Sequence, residues 1–142
     1  MGDNLRDHKP AANPQDDAHA AFEAESLEVS LTVANLPASL AWYRDVVGFG
    51  VDKEYERGGV LQAVSLRAGN VRVLLGQDDG ARGADRTKGE GFSMQFSTAL
   101  SIDAVAARIR SHGGTLAAEP MDTPWGVRIL RLVDPDGFRF VV

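Results

Sequence analysis

Few side chains of this 142-residue chain are equipped for chemistry. There is no cysteine, which removes both a disulfide framework and thiolate metal sites. Of the three histidines, His8 and His19 lie in the first 25 residues, and His112 falls at the end of a predicted helix, where the helix dipole favours a cation. Ser93 therefore lacks a histidine to activate it, and neither a nucleophile elbow nor a phosphate-binding glycine pattern is present. What remains is a set of polar residues at every second position: Glu28 and Ser30, then Ser93 and Gln95, and Arg139 between Phe138 and Phe140. Carboxylate, hydroxyl, amide and guanidinium together can fix the orientation of a small molecule. Trp125, within Thr123-Pro124-Trp125-Gly126, adds stacking area at little entropic cost, and Tyr55 is a lesser aromatic candidate. Each has a plainer reading: a solvated sheet face, a loop contact for Trp125, and a structural ion pair between Arg139 and Glu28.

Two stretches of similar pattern must position these groups. From Leu27 to Val33 apolar residues alternate with Glu28, Ser30 and Thr32, the period of a strand with one buried face. Asn35 then caps a predicted helix with Pro37 in its first turn, Leu40, Tyr43 and Val47 at helical spacing, and Gly48 as its stop. Trp42 and Tyr43 fall on this helix and read as packing residues. Strands are expected at 51–56, 60–67 and 71–75, separated by the turns Arg57-Gly58-Gly59 and Ala68-Gly69-Asn70. From Phe92 the order returns: Phe92, Met94 and Phe96 share one face, Ser101 caps a helix with the stripe Ile102, Val105 and Ile109, and Gly113 ends it. Gly113 lies 65 residues after Gly48, and Ser93 lies 65 after Glu28. Thr115–Ala118 is a weak strand candidate; 127–133 and 138–142 are clear ones, joined by Asp134-Pro135-Asp136-Gly137. The fold class is α+β: two tandem βαβββ modules, about 26–76 and 91–142, forming a curled, partly open mixed sheet around a cleft lined by the polar faces.

The remaining segments read differently. Residues 1–25 are poor in large apolar side chains and read as a disordered tail ahead of a single domain at 26–142. The tail holds six acids against Arg6 and Lys9, or −4 of the formal net charge of −5. The domain is thus nearly neutral, which gives no electrostatic case for nucleic acid or an anionic membrane. No apolar run approaches a membrane span or a secretory signal, so a cytoplasmic protein is expected. The connector 77–90, QDDGARGADRTKGE, is charged and aperiodic, the composition of a surface loop or mobile flap.

Residues EVSLTVANLPASLAWYRDVVGFG and PWGVRILRLVDPDGFRFVV, with the tandem βαβββ order, resemble the vicinal oxygen chelate superfamily of glyoxalases, extradiol dioxygenases and bleomycin resistance proteins. The resemblance implies metal-ligand positions on the first and fourth strands of each module. Here they fall on Glu28, about Val73, Ser93 and Val141, of which only Glu28 is a good ligand for a hard cation.

The expected function is therefore metal-independent binding of a small molecule, as in the bleomycin resistance branch, with no cofactor. Glu28, Ser30, Ser93, Gln95, Trp125 and Arg139 are the contacts, and the resemblance implies a homodimer. One alternative is a metal-dependent enzyme of the glyoxalase or dioxygenase branch, using a divalent ion and Glu28 as its base or ligand. Another is a non-catalytic regulatory or interaction module.

Overall fold

β1 (Glu28–Val33) buries Leu31 and Val33 and exposes Glu28, Ser30 and Thr32, as its alternation requires. A computed structural model describes residues 21–142 of the chain. Most of the expected tail thus lies outside the described residues, and 21–27 are exposed and without regular structure. Asn35 is extended and its Oδ1 accepts from the Ala38 amide at 3.0 Å, which starts α1 (Leu36–Ala41) with Pro37 in the first turn.

The helix then widens into a π-helical segment (Trp42–Val47), where the Gly48 amide donates to the Tyr43 carbonyl at 2.9 Å. The cause is legible in the spacing. Cap to stop is 13 positions from Asn35 to Gly48 but 12 from Ser101 to Gly113, and one inserted residue is what a π turn absorbs. Gly48 ends the segment at φ +106°, where a side chain would be strained.

Three strands follow, β2 (Gly50–Arg57), β3 (Val60–Ala68) and β4 (Val71–Gln77). The second module gives β5 (Ser93–Gln95), α2 (Ile102–Ser111), β6 (Ala118–Asp122), β7 (Arg128–Val133) and β8 (Arg139–Val141). Ser101 caps α2 through the Ala104 amide. The two modules have the same topology, β1-β4-β3-β2 and β5-β8-β7-β6, with β1/β4 and β5/β8 parallel and the other pairs antiparallel. The curled sheet is thus present as two open four-stranded sheets without shared hydrogen bonds.

Three expectations shift. The strand after α2 is β6 at 118–122 rather than 115–118, because Gly114 packs against Val46 and Ile109 and pairing begins only when the Ala117 amide reaches the Arg131 carbonyl. Within β6 the register slips across Pro120, which has no amide to donate. Val127 is held out of β7 by the Thr123 hydroxyl, and Phe138 out of β8 by its amide's bond to Asp134 Oδ1. The connector is anchored at its ends: Lys88 Nζ donates to Asp78 Oδ2 at 2.6 Å with both side chains largely buried, and Gly89 lies against Gly137 so closely that a Cβ would collide.

One core joins the modules. Leu31, Val33, Val64, Leu66, Val73 and Leu75 of the first sheet meet Met94, Leu130, Leu132 and Phe140 of the second, with the helices between their residues. Trp42 and Tyr43 pack their rings on Phe140, and Phe96 bridges Phe140 to Phe49. Phe92 departs from its expected place: it is partly exposed and meets Phe138.

Candidate functional site: two polar sheet faces and the corner that sets them

Burying one face of each sheet leaves the other largely polar and exposed, although Ser65 is buried and Leu74 half-buried on the first. On the first sheet Glu28 and Ser30 stand beside Arg72 and Leu74 of β4, and Leu74 stands beside Ser65 of β3. Parallel register therefore corrects one assignment. Val73 is fully buried, and the β4 positions that share Glu28's face are Arg72 and Leu74. Asp52 accepts from Arg67 at 3.1 Å and from Arg72 at 3.3 Å, so two of the three guanidinium and ammonium groups on this face are engaged. The third, Lys53, lies 5.0 Å from the Tyr55 ring centroid.

The second sheet brings Ser93 directly beside Arg139, and Gln95 beside Val141. Arg131, which the sequence reading missed, stands next to Val141 on the same face. Its neighbours on β6 do not neutralise it: Glu119 pairs with Arg110 of α2, and Asp122 pairs with Arg128, which also holds Asp103 of α2. Arg131 and Arg139 have no ion pair among the described residues, and the suggested Glu28–Arg139 pair does not form. Ser93 and Gln95 border a groove of about 270 Å³ whose other wall includes Leu27, Val29 and Arg72. Trp125 stands apart at the β6–β7 turn, 73% exposed, on a loop closed by Thr123 and Val127.

A divalent ion does not fit the positions that the resemblance marks. Glu28 offers a carboxylate, but Arg72 stands beside it, and the matching places hold Leu74, Ser93 and Val141. Among the described residues no three His, Asp or Glu side chains converge.

The faces are held relative to each other by a buried corner where the β7–β8 turn meets α1. The Tyr43 hydroxyl donates to Asp134 Oδ2 at 2.6 Å, while Asp134 Oδ1 accepts from the Asp136 and Phe138 amides. Asp136 accepts from the Ala34 amide and the Ser39 hydroxyl, and Gln77 Oε1 accepts from the Leu36 amide. Burial raises the Asp134 carboxyl above the usual range despite these donors, and burial followed by the Asp134 charge raises the Tyr43 phenol far above its own. The turn residues do more than turn: they dock one module on the other.

The chain matches the family model described as Glyoxalase/Bleomycin resistance protein/Dioxygenase superfamily over residues 19–142. Similar solved structures include a member of that superfamily from Sphaerobacter thermophilus DSM 20745, 22% identical with a TM-score of 0.67, covering 84% of this chain and 95% of that one. TioX from Micromonospora sp. ML1 is 19% identical with a TM-score of 0.64, covering 82% and 93%. A glyoxalase/bleomycin resistance protein from Streptomyces sp. CB03234 is 22% identical with a TM-score of 0.60, covering 80% and 95%. No curated protein sequence matches. Tandem βαβββ modules, sheet order and family model agree: this chain belongs to the glyoxalase/bleomycin resistance protein/dioxygenase superfamily.

Proposed function

We propose that the protein binds a small molecule without a metal, holding it against the polar sheet faces in a cleft that a second copy of the chain completes. The observation that carries the reading is the donor set at the positions that the resemblance marks: one carboxylate, Glu28, beside the Arg72 guanidinium, with Leu74, Ser93 and Val141 at the others. That arrangement disfavours a cation and leaves hydrogen-bonding and cationic groups to meet an organic ligand. Completion by a second copy is favoured because Glu28 and Ser30 sit on one open sheet, Ser93, Gln95 and Arg139 on another, and among the described residues no hydrogen bond or ion pair joins the two faces. Trp125 would report on ligand from the edge of the second face.

The test pairs elemental analysis of the purified protein with native mass spectrometry, followed by Trp125 fluorescence titrations in EDTA against whatever molecule is retained. A dimer that binds equally well with and without EDTA, and more weakly after Arg139→Gln, is expected. Stoichiometric metal, with binding or turnover lost on chelation and on Glu28→Gln, would replace this reading with the metal-dependent one.

A further inference from the structure

The internal repeat gives the molecule two corners of the same construction, each a strand–helix loop and helix facing the hairpin turn of the other module. In one, the loop before α1 faces the β7–β8 turn, and Tyr43, Ser39, Asp134 and Asp136 fill the space. In the other, the loop 96–101 and α2 face the β3–β4 turn Ala68-Gly69-Asn70-Val71, and among the described residues no hydrogen bond crosses between them. A Cβ placed on Gly69 would meet no atom within 4 Å. The result is an open groove of about 730 Å³, within the usual size range of small-molecule sites.

Its walls are mainly apolar, from Phe49, Val71, Phe96, Val105, Leu132 and Val142, with Ser97 and Thr98 among them. Leu100, 69% exposed, stands with them. One cation borders the groove. Arg108 lies over Gly48 so closely that a Cβ on the glycine would be 2.9 Å from its Nε. Gly48 thus both takes the positive φ that ends the π segment and leaves room for the guanidinium. The neighbouring cations Arg110 and Arg128 are spoken for by Glu119, Asp103 and Asp122, whereas Arg108 has no ion pair among the described residues. An uncompensated guanidinium beside an apolar concavity is complementary to an anion carried on an apolar body.

The geometry points to a second ligand site here, adjoining the groove beside Ser93 and Gln95 across Asn70, Val71 and Phe96, which line both, for a small apolar monocarboxylate whose hydrocarbon lies between Phe49, Phe96 and Val105 and whose carboxylate meets Arg108.

Isothermal titration calorimetry of the full chain with decanoate, below its micellar concentration, tests this directly. Saturable one-to-one binding is expected, with decyltrimethylammonium at least ~10-fold weaker, since the charge-assisted contact reverses sign. Arg108→Gln should weaken decanoate by about tenfold, whereas Arg110→Gln, which touches only a surface pair, should change it less than about twofold. Ala104→Trp should abolish it by filling the groove from an exposed helix position, with unchanged circular dichroism showing the fold intact. Equal binding of the cationic and anionic amphiphiles, or equal losses from Arg108→Gln and Arg110→Gln, would overturn the site as an anion receptor. Absence of binding, together with a change of mass in sedimentation on Ala104→Trp, would assign the groove to contact between copies instead.

Discussion

The two corners of the repeat share their backbone plan and differ in almost everything that fills it. At the α1 corner four polar side chains are buried or half-buried and have hydrogen-bond partners. At the α2 corner the same space is bordered by Val71, Phe96, Val105 and Leu132 and is open to solvent. Burying polar groups is tolerable only when donors and acceptors are matched, so the first corner is committed to holding the modules together. An open apolar concavity does nothing for that task and keeps contact surface available. One scaffold occurs twice, and its side chains fill it with polar contacts at one corner and leave it open at the other.

The strongest way to break this division is to remove the fastening. Asp134→Ala leaves the Tyr43 hydroxyl and the Asp136 and Phe138 amides without their acceptor in a buried place. A loss of about 3 kcal/mol or more is expected in urea unfolding. If stability instead holds within ~0.5 kcal/mol, the turn is not what docks the modules.

A second change attacks the contact between the helices. Gly114 has no positive φ, but a Cβ there would overlap Val46 Cγ1 and come within 2.6 Å of Ile109 Cγ2. Gly114→Ala should cost about 1–3 kcal/mol through overpacking alone. Gly113, at φ +84° with open space around its Cβ position, isolates the backbone term, and Gly113→Ala should cost about 1–2 kcal/mol. A Gly114 variant as stable as the parent would show that the π segment and α2 yield to each other.

Tyr43→Phe is the finer probe, since it keeps the ring on Phe140 and Phe49 and deletes one hydrogen bond. The expected loss is about 1–2 kcal/mol, less than for Asp134→Ala because the two backbone amides keep their acceptor. Equal losses from the two variants would make the phenol, rather than the turn, the centre of the corner.

Much of the fold was legible because its signals are local. Alternation over 27–33, the caps Asn35 and Ser101, and the stops Gly48 and Gly113 act within a few residues, and the 65-residue repeat followed from them. Alternation also placed Glu28, Ser30, Ser93, Gln95 and Arg139 on exposed faces. It failed on β4, where Val71-Arg72-Val73-Leu74-Leu75 carries no clean alternation and only pairing with β1 decides which residues face out. Asp134 and Asp136 read as turn formers because their partners Tyr43 and Ser39 lie 91 and 97 positions away. The α2 groove left no trace in the sequence, since its wall residues Phe49, Val71, Phe96, Val105 and Leu132 come from segments far apart in the chain.

The smallest effect expected is on the strap that runs past the fastened corner. Asp78 is held down to about 2, first by the hydrogen bond from Lys88 and then by that from the Gly80 amide. Its contribution to stability is therefore complete above the unfolded carboxyl value of ~3.9 and disappears as pH falls through about 2. Asp134 runs the other way. Its raised value favours the fold most below ~3.9, and that contribution is lost as pH rises through the raised value. Melting temperatures of the parent and Asp78→Asn between neutral and strongly acid pH separate the two. The variant should melt lower at neutral pH and decline less steeply on acidification, so that the curves converge near the acid limit. Parallel curves would mean that the Lys88 contact does not persist in solution. The connector would then be a flap after all, free to move beside a corner that stays locked.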